Sequence, residues 1–237
     1  MPVIQTLPRP IADTWYLAYG SNLSTQKFID DRGITPLSAV AVIVPGWTLT
    51  IDSAGFPYSE PAFASISPIH HTGNKKAVEL IGTAYKLDPD MYQKVLKSEG
   101  GGIAYAEIEV WAINMSEEDP NGIATSSTFA ALLRMGADAA KFPLAYQKFL
   151  AGITEYHPSE KPMAKLGASL FLAFWRPVMS LMERITKASL KNRSTGYAPI
   201  WVIVMVRIVM VSMWFYHDFV HAPIWGRGDG MGSALVL

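Results

Sequence analysis

Short apolar segments separated by proline, glycine and polar turns fill the first two thirds of the chain, and two long apolar runs fill the last third. The first segment, residues 15–23, ends at Gly20-Ser21-Asn22 and gives way to a polar stretch, which predicts a strand, a glycine turn and a short helix over about 24–31. Apolar segments recur at 39–44, 47–51 and 63–66 with Pro and Gly between them, and read as strands. Residues 79–87 are another strand. Asp88-Pro89 then supplies an N-cap and a proline at the first helical position, so a helix runs over about 89–98. Gly100-Gly101-Gly102 stops it, and residues 104–111 alternate apolar and polar positions with the period of a strand. Helices are expected at 127–140 and 143–151. The pattern is that of an α+β unit over about 15–160, preceded by an N-terminal arm over 1–14.

From Met163 onward the composition changes. Residues 166–182 are apolar apart from Ser169, Arg176, Pro177 and Ser180, and 199–216 apart from Arg207 and Ser212, with a polar linker carrying Lys187, Lys191 and Arg193 between them. These residues form an apolar helical extension over 161–237. The second run approaches the roughly 20 residues that span a bilayer, and its nine Ile, Val and Phe residues nearly offset the cost of one central Arg. Such a run must be covered. Either lipid covers it, through peripheral or anchored membrane association, or both runs pack on the preceding unit or a second copy, with Arg207 paired to an acid.

Charge narrows the partners: 20 Lys and Arg balance 20 Asp and Glu, which leaves no electrostatic footprint for nucleic acid. The chain has no cysteine, and its five histidines show no metal-ligand spacing, so neither a metal nor a redox cofactor is expected. The first fifteen residues contain prolines, Arg9 and Asp13 and lack the apolar run of a secretory leader, so a cytoplasmic unit is expected.

Two places carry candidate chemistry. At Gly20-Ser21-Asn22, glycine permits close backbone approach or a positive φ, Ser21 and Asn22 are good helix N-caps, and the N–H groups that follow would suit a carboxylate. An ordinary strand-to-helix turn has the same composition. Glu99 stands between a helix C-terminus and three glycines, where the helix dipole disfavours a buried carboxylate in its ionised form and would tune it as a general base. A solvated loop carboxylate is the competing reading.

Tyr19-Gly20-Ser21-Asn22-Leu23 resembles the signature of the γ-glutamylcyclotransferase family, and Leu96-Lys97-Ser98-Glu99-Gly100, followed by Tyr105 and an Ile-Glu-Val segment, resembles its catalytic glutamate segment. The likeness continues at Ala62-Phe63-Ala64-Ser65-Ile66, at Gly82 within Leu-Ile-Gly-Thr-Ala-Tyr, at Met135-Gly136-Ala137 and at Phe142-Pro143-Leu144-Ala145-Tyr146, and spans about 15–157. It implies a mixed β-barrel or sheet with flanking helices, and a cofactor-free enzyme that cyclises a γ-glutamyl group to 5-oxoproline. Glu99 would be the catalytic residue, and Leu17, Ala18, Tyr19, Gly20, Ser21, Asn22, Leu23 and Tyr105 would hold the substrate. Where the family commonly has Pro-Ser-x-x-Tyr, this chain reads Thr125-Ser126-Ser127-Thr128-Phe129. The missing hydroxyl at Phe129 removes a bond worth about 1.5–3 kcal/mol to a charged substrate group, which implies altered substrate choice. The extension, with Trp225-Gly226-Arg227-Gly228-Asp229-Gly230, is similar to that of a fungal biosynthetic branch, which implies a glutathione conjugate of a secondary metabolite as substrate. A pocket redirected to another cyclisation or isomerisation, or a non-catalytic binding protein, would yield no 5-oxoproline. His217, Asp218 and His221 lie outside the resemblance and are expected to be cap or interface residues.

Overall fold

The strand that organises the fold is the one preceding Asp88. The structure, a computed structural model, describes residues 12–73, 77–103, 105–115, 140–153, 156–191, 193 and 195–229. The helix expected at 127–140, Phe129 and the 135–137 segment lie outside the described residues. β5 (Leu80–Leu87) is flanked by antiparallel β1 (Thr14–Ala18) and β2 (Ser38–Val44), with the two-residue β6 (Ile113–Asn114) beyond β2. Ala18 faces Thr83, and Val44 faces Leu80. Its central place buries nearly all of β5, including Leu80, Ile81, Ala84, Tyr85 and Leu87. β3 (Trp47–Phe56) and β4 (Glu60–Pro68) form a separate hairpin with a register shift between Thr50 and Ser53. The architecture is α+β.

α1 occupies Pro89–Ser98, as the Asp88-Pro89 pair predicts, and Asp88 Oδ1 accepts from the N–H groups of Asp90 and Met91. Ahead of β2, a 3₁₀ turn (Ser21–Leu23) leads into a π-helical turn (Gln26–Asp31) rather than an α-helix, closed by Arg32 N–H donating to Lys27 O at 3.2 Å. Two apolar clusters hold this unit together. One joins Leu23, Val44, Leu49 and Leu80 to Phe142, Tyr146 and Leu150 of α2 (Leu144–Ala151). The other places Phe28 between the rings of Tyr16 and Tyr85, at 5.7 and 4.4 Å.

The strand expected over 104–111 is absent from the described residues: 105–112 adopt no regular element. Its alternation is real, but half-buried Tyr105 and Glu107 alternate with exposed Ala106 and Ile108. The inward positions are polar, and Glu107 accepts from the Tyr92 hydroxyl instead of packing under a sheet.

The extension folds back as two antiparallel helices, α3 (Pro162–Leu190) and α4 (Ile200–Tyr216), followed by a π-helical turn (His217–His221) and the short α5 (Ala222–Trp225). α3 runs past the predicted 182 and takes Lys187 into its last turn. The inner faces pack on the preceding unit: Leu190, Ala198, Val202, Ile203 and Val206 enclose Ile103, and Phe171, Trp175 and Met213 enclose Tyr58 and Phe56. Among the described residues Arg207 has no acid partner of the kind expected if the runs pack on the preceding unit. It donates to the carbonyls of Ile103 and Gly102, each at 3.2 Å. Carbonyl oxygens exposed by a glycine-rich stretch that makes no ladder supply the acceptors a carboxylate would otherwise give.

His217 and His221 lie at this interface. Their rings meet Tyr58 edge-on at 5.3 and 5.5 Å, and His221 Nε2 lies 2.9 Å from Gly167 O. Tyr58 sits at the β3–β4 tip with φ +63° and is fastened there: its N–H donates to Gly228 O at 2.7 Å and its hydroxyl to Gly226 O at 2.6 Å. A Cβ on Gly228 would lie 2.0 Å from the Tyr58 ring, so only glycine fits. His217, Asp218 and Asp229 bring potential metal-ligand atoms within 4.8 Å of one another. The guanidinium of Arg227 already joins the two carboxylates, at 2.8 Å to Asp218 and 2.7 Å to Asp229.

Candidate active site

Glu99 is the C-cap of α1, with its N–H donating to Val95 O at 3.0 Å, and its carboxylate faces the loop that follows β1. Asn22 Nδ2 donates to Glu99 Oε1 at 2.9 Å and to the Tyr16 hydroxyl at 2.7 Å, which uses both amide hydrogens. Arg32, at the end of the π-helical turn, donates to the same Glu99 oxygen and to Ser98 Oγ at 2.7 Å. Two peptide segments 77 positions apart thus converge on one carboxylate oxygen. The Glu99 side chain is 27% exposed rather than deeply buried, and is paired with Arg32.

A cleft of about 1210 Å³ opens over this carboxylate. Leu17, Tyr19, Gly20, Ser21, Asn22, Glu99 and Tyr105 all line it. Ala18 and Leu23 do not: both are buried in the apolar clusters, because they sit on the side of the β1 loop that faces the sheet. Ser21 and Asn22 do not cap the following turn. Asn22 spends its amide on Glu99 and Tyr16, and Ser24 Oγ takes the cap-like contact from Lys27 N–H at 3.4 Å. Gly20 has φ −108°, so the turn does not use the left-handed region, and a Cβ there would make ordinary contact with Ala64 Cβ at 3.5 Å.

Burial pushes the Tyr19 hydroxyl up to about 12, reinforced by Tyr105 and Glu99. Tyr105 moves in the same direction for the same first cause, and the hydroxyl of Tyr16 is raised well beyond the ordinary phenol range. Three phenols around the carboxylate therefore keep their protons at neutral pH and can donate. Glu107 is raised by burial, opposed by its bond from Tyr92.

Sequence patterning misses six contributors. Tyr16 reads as one more apolar strand residue. Arg32, in Asp30-Asp31-Arg32-Gly33, reads as a solvated turn. The Tyr92–Glu107 pair carries no spacing signal, and Thr195 and Tyr197 of the α3–α4 linker reach the cleft wall from almost a hundred residues beyond Glu99. The apolar side is formed in part by Trp15, Phe63, Ile66, Ile108, Val110 and Trp111.

Comparison with known proteins bears on both parts of the chain. Residues 161–224 match the family model described as the AclK C-terminal domain. The chain is 39% identical over 249 aligned positions to "Gamma-glutamyl cyclotransferase aclK" of Aspergillus oryzae, covering 92% of this chain and 90% of that protein. It is 34% identical to "Gamma-glutamyl cyclotransferase gliK" of Aspergillus fumigatus, covering 94% and 92%. Among solved structures, the human uncharacterized protein loc79017 aligns with a TM-score of 0.47 at 21% identity, over 63% of this chain and 93% of that one. With identities above 30% carried across nine tenths of these relatives, the chain belongs to the γ-glutamyl cyclotransferase family of enzymes.

Proposed function

We propose that the protein cyclises the γ-glutamyl group of a small-molecule amide, releasing 5-oxoproline and the amine. The observation that carries this reading is the meeting of Glu99 with the Tyr19–Leu23 loop through Asn22. The substrate's α-ammonium gives a proton to the Glu99 carboxylate, and its nitrogen then attacks the γ-carbonyl carbon. As the C–N bond to the leaving amine breaks, that amine takes a proton back from Glu99; the ring nitrogen, which still carries two hydrogens after attack, gives one to the freed carboxylate, which passes it to the amine as it departs as an ammonium ion, so no cofactor is consumed. Asn22 Oδ1 is buried and has no partner among the described residues, which suits it to accept from the α-ammonium. The protonated Tyr19 and Tyr105 supply donors for the substrate's oxygens. Ring closure joins two ends of one molecule, so holding it bent in the cleft removes much of the entropic barrier.

The cleft exceeds the usual 300–1,000 Å³ of small-ligand pockets, and one wall is aromatic and aliphatic. This supports a bulky, partly apolar amine portion, such as a glutathione conjugate of a secondary metabolite. The test is to incubate the purified protein with a panel of γ-glutamyl compounds, glutathione and its S-aryl conjugates included, and to measure 5-oxoproline. Glu99→Gln should fold and lose about 10²- to 10⁴-fold in turnover. Near-normal turnover by that variant would remove Glu99 from the mechanism, and ligand binding without 5-oxoproline would favour a redirected or non-catalytic pocket.

We also propose that this enzyme lies against a membrane surface through its extension. α4 exposes Ile200, Val204, Ile208, Val211 and Phe215 as one stripe, and α3 exposes Met163, Leu166, Leu170 and Phe174 as another. The span Ile200–Trp225 is long and apolar enough to cross a bilayer, but its inner face is engaged with the catalytic unit, which favours lying in the interface over spanning. Each large side chain moved out of water contributes about 1.5–3 kcal/mol. The full chain should co-sediment with phosphatidylcholine vesicles and resist salt extraction. A detergent-free monomer that stays in the supernatant would overturn this.

A further inference from the structure

α4 places one charged side chain in its whole length, Arg207, and turns it toward the catalytic unit. A guanidinium drawn into an apolar interface is costly unless its donors are satisfied. Its Nε and Nη2 donate to the carbonyls of Ile103 and Gly102, each at 3.2 Å, four and three residues beyond Glu99. A third bond joins the same stretch from the linker: Ala198 N–H donates to Gly101 O at 3.0 Å. Gly101, Gly102 and Gly100 all take positive φ. A Cβ on Gly101 would lie 2.8 Å from Ala198 N and from Leu190 Cδ2, and one on Gly102 would lie 3.2 Å from the Tyr197 ring. The extension therefore lies directly on the backbone of the glycine run, while Tyr197 and Gly102 line the cleft together with Glu99.

Resting on the reading of Glu99 as the base, we propose that Arg207 is a positioning residue for catalysis: from the C-terminal extension it clamps the Gly100–Ile103 backbone and so fixes the carboxylate that α1 ends on. Three glycines in succession have large conformational freedom, and Glu99 itself stands at the exit of a helix, so the run after it depends on contacts from outside to be fixed. On the N-terminal side, Glu99 N–H to Val95 O and Gly101 N–H to Leu96 O tie it to α1. The carbonyl contacts of Arg207 and Ala198 close the other side. The extension thereby becomes part of the catalytic apparatus without touching substrate through Arg207.

The test compares Arg207→Met and Arg207→Lys with the full-length protein, by steady-state kinetics and by amide hydrogen exchange. Arg207→Met should lower kcat about tenfold or more with KM little changed, and should speed exchange at Gly101 and Ala198 while α1 and β5 exchange as before. Arg207→Lys, which keeps one cationic donor, should recover part of kcat. Unchanged local exchange in Arg207→Met overturns the clamp. Faster local exchange with unchanged kcat, or a change in KM alone, overturns the positioning role. Failure of the unmodified protein to form 5-oxoproline would strike the reading of Glu99, and exchange at Gly101 would still decide whether Arg207 clamps the run.

Discussion

Arg32 reaches Glu99 across 67 positions of sequence and shares its Oε1 with Asn22, so the carboxylate is held by a cation from one side of the β1 loop and an amide from the other. One oxygen is occupied and the carboxylate is oriented by it. Replacing Arg32 by Met should cost about 1.5–3 kcal/mol of that orientation, or about 10- to 100-fold in kcat/KM, with little loss of thermal stability. The measurement is kcat/KM beside a melting curve, and a variant that melts early for its lost activity would make Arg32 structural instead.

Gly20 separates the fold from the ligand. A Cβ there meets Ala64 at ordinary distance, so Gly20→Ala should melt within about 2 °C of the parent. If substrate approaches the loop backbone, KM should nevertheless rise. Calorimetry on the Glu99→Gln background, where substrate persists, would show a weakened affinity, and an unchanged one would move the substrate away from Gly20.

Gly101→Ala should be far more damaging. The residue has φ +62°, which costs an alanine about 1–2 kcal/mol, and its Cβ would also press on the Ala198 backbone. A fall in Tm of at least about 5 °C is expected, with activity lost at temperatures where the chain is still folded.

His221 makes the docking of the extension sensitive to acid. Burial in the interface holds its imidazole below the ordinary 6.5, opposed by the Gly167 carbonyl and reinforced by His217. A folded value below the unfolded one means that the unfolded chain binds the extra proton in that window. The stability is therefore complete above about 6.5 and lost as pH falls through the folded value. Tm measured between about pH 7.5 and 5.5 should fall with acid, and His221→Gln should flatten the slope.

A chain ending at Pro162 should not behave as a free catalytic unit. Phe56, Tyr58 and Ile103 pack against α3 and α4, and their uncovering should give aggregated protein with no turnover. Soluble, active material would show that the extension is dispensable for both.

Much of the fold is legible before any coordinates. Asp88-Pro89 and the glycine run mark both ends of α1, because capping and φ requirements are local properties of residue type. Local signals place Glu99 at a helix exit but leave it open as a solvated loop carboxylate; only the resemblance of its segment to a family motif singles it out. The irregular course of 105–112 is not legible, since a period of two says that alternate residues face one way and not whether a ladder awaits them. Arg207 escapes for a deeper reason: its partners are main-chain carbonyls, which every residue carries and no sequence distinguishes. Arg32 escapes because its partner lies far along the chain and its own surroundings, two aspartates and a glycine, offer a nearer explanation for its charge.

The fastening of Tyr58 by Gly226 and Gly228 has a consequence for the order of events during synthesis. A ribosome delivers the hairpin tip long before residue 228, so the nascent chain must carry Tyr58 and its apolar neighbours unburied while more than a hundred and sixty further residues are added. Contacts that distant in sequence form slowly and leave apolar surface open to misassociation in the meantime. Chaperone dependence is thus expected to concentrate in the interval between emergence of the hairpin and emergence of Gly228.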